Sequence, residues 1–218
     1  MAEYIKVPAG VYDMVTRCME QEFPDHVAIR YVAEDGKTVV EKKYREYAQD
    51  IRRMTAYLKA EVPDIKGQRI VLLSRNCYEF CVASYGIILA GGVLVTLNQK
   101  KTWEELEYEL GLVEPVLILN DGIDYGCRAE LEAAYGPKLR PMDCYKETAP
   151  GELTNCVGHD DLMMLMFTSG TTGRSKGVML SERNMCASLH TYSEVAENWI
   201  TTVSYTHLRA HETLMNLV

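Results

Sequence analysis

Short apolar segments alternate with helical segments through the middle of this 218-residue chain. Residues 69–74 (RIVLLS), 93–97 (VLVTL) and 116–120 (VLILN) are rich in aliphatic and β-branched side chains, as buried strands are. The segments 78–90 and 103–113 between them have the length and pattern of helices. A strand, a helix and a second strand in succession form a parallel pair with a right-handed crossover. The chain is therefore predicted to be an α/β protein, with layered sheets and flanking helices.

The segments before this unit predict a helix, a hairpin and a second helix. Residues 11–23 and 44–60 are amphipathic, and the second of these places Tyr47, Ile51, Met54 and Leu58 on one face. Residues 27–32 and 38–42 are predicted to pair as a hairpin across Asp35-Gly36, a dipeptide suited to tight turns.

The segments after the unit predict a helix, a long loop, two short strands and a further helix. Residues 125–135 are predicted to be helical, and residues 136–159, rich in Pro, Gly and polar side chains, to cross the surface as a loop. Residues 162–167 (LMMLMF) predict a buried strand, and 178–180 are strand-like. Ser181 is predicted to cap a helix that runs to about Trp199.

One stretch, residues 80–99, has no charged side chain over about the length that a membrane span needs. Gly91 and Gly92 interrupt it, and the β-branched segment 93–97 ends at Asn98 and Gln99 as a strand ends at a turn. A buried helix followed by a buried strand is therefore predicted in place of a transmembrane span.

The composition argues against a nucleic-acid partner, because the net charge is −8 and the pI about 5.2. With no basic and apolar leader after Met1, the cysteines are expected to be reduced thiols of a cytoplasmic protein. Cys77 and Cys81 share a helix face but have no nearby ligands to complete a zinc site, so they are predicted to lie in the core. The seven cysteines are Cys18, Cys77, Cys81, Cys127, Cys144, Cys156 and Cys186.

The segment 168–177 (TSGTTGRSKG) contains three glycines, five hydroxyl side chains and two cations, with no apolar side chain. Glycines let backbone N–H groups approach an anion, hydroxyls add short donors, and Lys176 adds a mobile positive charge. A flexible linker is disfavoured, because a predicted buried strand precedes the segment and a capped helix follows it. A Walker loop is excluded because Ser175 stands where its second glycine belongs, and no Gly at 172 completes a dinucleotide fingerprint. A phosphate-binding loop is predicted.

Residues 167–177 (FTSGTTGRSKG) resemble the signature loop of the AMP-forming adenylate-forming superfamily of acyl-CoA synthetases, luciferases and peptide-synthetase adenylation domains. That loop is usually written Y/F-T-S-G-T-T-G-x-P-K-G. The departure is Ser175, which stands where the family commonly has proline and should leave the loop less stiff. The segments 40–58 and 69–98 resemble the family's upstream motifs, so that the resemblance covers most of residues 5–200 and implies the N-terminal part of this fold.

The resemblance implies an ATP-dependent, carboxylate-activating enzyme. The carboxylate attacks the α-phosphate of ATP, pyrophosphate leaves, and a thiol such as coenzyme A captures the acyl-adenylate. The helix and layout of the first hundred residues look most like the fatty acyl-CoA synthetases, which implies a fatty acid as substrate and leaves a peripheral membrane contact open. Acyl chain length, the choice between coenzyme A and a carrier-protein thiol, and the oligomeric state are left open. The resemblance implies that Thr168, Ser169, Thr171, Thr172 and Lys176 hold the β- and γ-phosphates together with Mg²⁺, and leaves the metal ligands themselves unknown. The full set of implied ATP-binding residues is Thr168, Ser169, Gly170, Thr171, Thr172, Gly173, Lys176 and Gly177.

Family members extend well beyond 218 residues, so the chain is expected to be a fragment whose catalytic residues lie in later sequence. Residues 1–204 are expected to form a partial AMP-binding domain, and 205–218 an atypical tail, non-native or disordered. His207 and His211 lack a third metal ligand nearby, and His190 is interpreted as a surface residue. The alternative is a non-catalytic nucleotide-binding or interaction module that retains only the phosphate loop.

Overall fold

The computed structural model describes residues 7–33, 35–168 and 175–196, with side chains as far as Thr191. Helices and strands alternate through most of this length. In chain order the elements are α1 (Val11–Asp13), the π-helix π1 (Met14–Glu22), β1 (Val27–Val32), β2 (Val39–Lys43), α2 (Tyr44–Glu61), β3 (Arg69–Leu73), α3 (Tyr78–Ala90), β4 (Val93–Thr96), α4 (Trp103–Val113), β5 (Leu117–Asn120), α5 (Arg128–Tyr135), β6 (Leu139–Pro141), β7 (Leu162–Thr168), β8 (Lys176–Ser181) and α6 (Glu182–Ala196).

The described strands form two sheets. β1 and β2 make an antiparallel pair, with Val32 opposite Val39. The other six lie in the order β6-β5-β3-β4-β7-β8, in which every neighbouring pair is parallel except the antiparallel pair β7 and β8. The chain moves from β3 to β4 in one direction and then crosses to β5 on the other side of β3. The predicted α/β fold with a mainly parallel sheet and flanking helices is confirmed.

Helices cover both faces of the six-stranded sheet. Successive side chains of a strand point to opposite faces, so each central strand contributes to a core cluster on either side of the sheet. Ile70 and Leu72 of β3 pack in one cluster with α2 and α3. Val71 and Leu73 of the same strand pack in a second cluster with α4 and α5. Burial on both faces explains why the central strands are apolar throughout.

Helices α2 and α3 approach each other closely at a glycine. A Cβ atom built on Gly86 would lie 2.4 Å from Met54 Cγ, so no larger residue fits without a shift of the core. The Thr55 hydroxyl, buried beside it, donates to the Ile51 carbonyl at 2.8 Å. α3 then ends at Gly91, whose φ of 92° is the left-handed conformation that glycine adopts at helix ends.

Several predicted boundaries differ from the structure. The helix predicted at 11–23 has only one α-helical turn before it widens into π1, with the Phe23 amide bonded to the Cys18 carbonyl. The helix predicted at 125–135 begins at Arg128, because Gly126 has φ 101° and donates to the Asp124 carboxylate at 2.8 Å in a turn. The hairpin strand predicted at 38–42 is displaced by one residue, as β2.

The surface loop predicted for residues 136–159 is wrong in part. Its first residues form a 3₁₀ turn, and β6 then pairs in parallel with β5. A strand of three residues that ends in Pro141 is tolerated because it lies at the edge of the sheet. Met142, Tyr145 and Leu153 are buried, so the segment after β6 also contributes to the core.

Strand β7 is present as predicted but is less buried than its apolar sequence suggested. Of its residues only Met163 is buried, and the rest are half-buried or exposed. Its neighbour β8 is the last described strand on that side, with Val178 and Met179 exposed. Within the described part of the chain, the cover that buries β3 and β4 therefore does not extend to this edge.

The uncharged stretch 80–99 folds as the predicted helix and strand, α3 and β4. Within the residues that the structure describes, no helix is long and apolar enough to cross a bilayer. Cys77 and Cys81, predicted to be core residues, are only partly buried. Burial nevertheless raises the pKa of Cys81 to about 11, and its side chain packs against the first core cluster.

Candidate functional site

Strands β7 and β8 form the two arms of a hairpin that carries the predicted phosphate-binding segment. Thr168, the last residue of β7, lies directly opposite Lys176, the first residue of β8. The Thr168 hydroxyl donates to the Lys176 carbonyl at 3.5 Å. Both residues and Gly177 are exposed. The structure therefore brings the two ends of the segment together and leaves their side chains accessible.

The structure describes only part of the predicted site. Thr168, Ser175, Lys176 and Gly177 are described. The remaining predicted residues, Ser169, Gly170, Thr171, Thr172 and Gly173, lie outside the described residues.

The β7 arm of the hairpin is fixed by packing beneath it. Leu165 and Phe167 of β7 pack against the second core cluster. A methyl group on Gly177 would meet the Phe167 ring at 3.7 Å, an ordinary contact, so packing does not require glycine there. The role expected for Gly177 thus rests on the sequence pattern alone.

The segment that follows β4 contacts the base of the hairpin. β4 runs parallel to β7, with Thr96 beside Met166, so the carboxyl ends of the two strands are adjacent. Lys101 lies beyond that end, and its Nζ donates to Ser175 Oγ at 3.2 Å.

The same ammonium forms an ion pair with Glu109 of α4. Glu109 is fully buried, and its Oε2 has no hydrogen-bond partner among the described residues. A buried charge has to be paired, so Lys101 is held firmly at this position.

Helix α4 begins at Trp103, two residues after Lys101, because Thr102 forms a capping box. The Thr102 hydroxyl accepts from the Glu105 amide at 3.4 Å, while the Glu105 carboxylate accepts from the Thr102 amide at 3.0 Å. That backbone hydrogen bond lowers the pKa of Glu105, since it stabilises the ionised form.

The sequence interpretation did not include Lys101 or Glu109. A signal was present, because Glu109 falls at helical spacing among Leu106, Leu110 and Val113, the apolar face of α4. A charged residue on such a face requires a partner. The spacing could not show that the partner would also bond to Ser175.

A second polar region lies at the carboxyl ends of β3 and β5. The Asp121 carboxylate accepts from the Arg75 amide at 2.9 Å and from the Tyr125 hydroxyl at 2.8 Å. Burial, together with that hydrogen bond, raises the pKa of Tyr125 to about 12. β5 is separated from β7 by β3 and β4, which places the β5 end of this region about 14 Å from the hairpin at the usual strand spacing. Its polar groups bond to one another.

An open surface pocket near the N-terminal helices contains two cations, but both are already paired. Arg52 bonds to Glu20 at 2.6 Å, and Arg45 to Asp25 at 2.5 Å. The hairpin is thus the described region where exposed donors lie beside a glycine- and hydroxyl-rich segment.

A family model described as "AMP-binding enzyme" matches residues 17–217. The chain belongs to this AMP-binding family. Membership confirms the resemblance inferred from the loop, and the fold is that of the N-terminal part of adenylate-forming enzymes.

Curated relatives include 4-coumarate–CoA ligase-like 2 of Arabidopsis thaliana, which is 30% identical over an alignment of 153 residues that covers 58% of this chain and 26% of that protein. A long-chain-fatty-acid–CoA ligase of Salmonella typhimurium is 27% identical over an alignment of 212 residues that covers 77% of this chain and 37% of that protein. The AMP-binding chain therefore spans between about a quarter and two fifths of these relatives' length.

Among solved structures, a fatty acyl-adenylate ligase from L. pneumophila, in complex with acyl adenylate and pyrophosphate, superposes with a TM-score of 0.68 at 19% identity. The superposition covers 88% of this chain and 33% of that one. At this identity the likeness shows a shared fold.

Proposed function

We propose that the chain is the N-terminal part of an ATP-dependent ligase that activates a carboxylate as an acyl-adenylate and then transfers the acyl group to a thiol. The observation that carries the proposal is the hairpin. Its arms hold Thr168 and Lys176 opposite each other at the two ends of the segment that matches the family signature.

The chemistry follows from the donors that this hairpin offers. Lys176 supplies an exposed positive charge that can follow the negative charge of a departing pyrophosphate. Thr168 supplies a hydroxyl whose long bond to the Lys176 carbonyl, at 3.5 Å, a phosphate oxygen would replace. The binding residues proposed for the β- and γ-phosphates are Thr168, Ser169, Gly170, Thr171, Thr172, Gly173, Lys176 and Gly177.

Magnesium is proposed to arrive with ATP. The described residues contain no group of three or more His, Cys, Asp or Glu side chains that could hold a metal ion. Mg²⁺ commonly binds through substrate phosphates, waters and one or two protein oxygens. The hydroxyl of Thr168 fits that need.

The remaining details are proposed from the relatives. The Salmonella ligase acts, by its name, on long-chain fatty acids and coenzyme A, so a fatty acid is the proposed carboxylate and coenzyme A the proposed thiol. We propose a cytoplasmic location, and residues 1–204 as the part that belongs to the AMP-binding domain.

The test measures the products of ATP cleavage by the protein encoded by the whole reading frame that contains this chain. ATP labelled at the α-phosphate is incubated with Mg²⁺ and coenzyme A and, in separate reactions, with fatty acids of graded chain length and with 4-coumarate, and the unlabelled pyrophosphate is measured by a separate enzymatic assay. The proposal expects AMP and pyrophosphate to form, in equal amounts, only when a carboxylate is present.

Two results would contradict the proposal. Formation of ADP would mean that a different phosphate is attacked. ATP binding without cleavage for any carboxylate would favour the alternative, a nucleotide-binding module that has no ligase activity.

A further inference from the structure

We propose that Lys101 is a positioning residue that holds Ser175 in place, and with it the start of β8, where Lys176 stands. Its hydrogen bond would keep Lys176 in register for polyphosphate binding. That Lys176 binds a polyphosphate rests on the proposed function. The contact between Lys101 and Ser175 is observed in the structure and does not depend on it.

The contact joins two parts of the chain that are 74 residues apart. Lys101 Nζ lies 3.2 Å from Ser175 Oγ and also pairs with Glu109 Oε1. An ammonium has three donors, so it can serve both oxygens at once. It therefore connects α4 to the residue immediately before β8.

Lys101 is a rigid anchor because its own position is set by the core. The Glu109 side chain is 0% exposed and that of Lys101 only 17% exposed. The flanking residues Leu106 and Leu110 are fully buried. Since the lysine has already lost its conformational freedom, the bond to Ser175 costs little further entropy.

Ser175 is the place where such an anchor is needed. The family signature commonly has proline here, which fixes φ and stiffens the chain. Serine has no such restriction, but its hydroxyl can accept a hydrogen bond. The bond from Lys101 supplies a constraint at the residue next to Lys176, where proline would supply one in relatives.

A different role for Lys101 is direct contact with the polyphosphate. Two oxygens already occupy donors of its ammonium, which favours the positioning role. The experiment below separates the two roles.

The first measurement is hydrogen exchange of the peptide that spans residues 175–181. Ser175→Val removes the hydroxyl that accepts the hydrogen bond from Lys101. Ser175→Thr introduces a side chain of the same shape as valine but keeps the hydroxyl. We expect Ser175→Val to speed exchange about two- to tenfold, the factor that one net hydrogen bond provides, and Ser175→Thr to match the original chain.

A double variant tests the other end of the bond. Lys101→Met with Glu109→Gln removes the ammonium without leaving a buried charge unpaired. It should speed exchange as much as Ser175→Val does. Adding Ser175→Val to it should have no further effect, because both changes break the same bond. Lys100→Met, at an exposed neighbouring lysine, serves as the charge control.

The second measurement is calorimetric binding of magnesium pyrophosphate and MgATP. Ser175→Val should weaken binding about two- to tenfold, and Ser175→Thr should restore it. A role in packing alone would leave the affinity unchanged.

The positioning role would be overturned if Ser175→Val matched Ser175→Thr in exchange, or if the effects of the Ser175 and Lys101 changes were additive. It would also be overturned if only the loss of Lys101 weakened pyrophosphate binding, which would mean direct contact. If neither pyrophosphate nor MgATP bound the original chain but hydrogen exchange changed as expected, the positioning role of Lys101 would be supported and the proposed function would be wrong.

Discussion

Replacing Lys101 with methionine should destabilise the fold strongly, because it leaves a buried carboxylate without its counter-ion. Glu109 is 0% exposed, and its Oε1 pairs with Lys101 while Oε2 has no described partner. Removing one member of a buried pair typically costs about 3–5 kcal/mol. That is a large fraction of the 5–15 kcal/mol, roughly, that keeps a domain folded.

The free energy of unfolding is measured by urea titration at neutral pH, with circular dichroism as the signal. Lys100→Met is the matched control, since that lysine is exposed, and it should change stability by no more than about 0.5 kcal/mol. Adding Glu109→Gln to Lys101→Met should recover most of the loss, because an amide of the same shape is far less costly to bury than an unpaired charge. If Lys101→Met proved as stable as Lys100→Met, the pair would not be buried as described.

Three further predictions concern packing, thiol reactivity and association. Gly86→Ala should lower the free energy of unfolding in urea by about 1–3 kcal/mol, because its methyl group would overlap Met54. As a control, Gly111→Ala, in a helix with open space around it, should raise the free energy of unfolding by about 0.4–1 kcal/mol. Alkylation of Cys81, followed by mass spectrometry, should accelerate about tenfold per pH unit up to about pH 11, since burial raises its pKa to about 11 and only the thiolate reacts; a plateau near pH 9 would contradict this. The isolated chain should self-associate at micromolar concentration through β8, the last described strand of the sheet, and light scattering measures this. Met179→Lys, at a residue that is 67% exposed, should reduce the association; a clean monomer before substitution would count against the prediction.

The sequence predicted the layered fold where local pattern and tertiary burial agree. Strands β3, β4 and β5 are covered on both faces, so that their apolar runs identify them directly. The capping of α6 by Ser181 was also predictable and is confirmed, since the Ser181 hydroxyl accepts from the Asn184 amide at 3.3 Å. These features depend on neighbours along the chain.

The features that were missed depend on partners distant in sequence. β6 is a strand because its backbone bonds to β5, whereas its Pro141 and the preceding Pro137 suggest a loop. For the loop, its resemblance to a known signature identified Lys176 as a candidate binding residue and showed that Ser175 stands where proline is common. Only the structure shows that Lys101, from a different element, contacts Ser175.

The exchange of labelled pyrophosphate into ATP, dependent on a carboxylate, is the most direct test of the central claim that the β7–β8 hairpin carries the polyphosphate site. It is measured on the product of the whole reading frame, comparing Lys176→Ala with Lys37→Ala, which removes an exposed lysine from the β1–β2 hairpin. Loss of a transition-state donor worth about 1–3 kcal/mol slows exchange by about five- to 150-fold. We expect that reduction for Lys176→Ala and none for Lys37→Ala, whereas equal exchange by the two variants would contradict the claim.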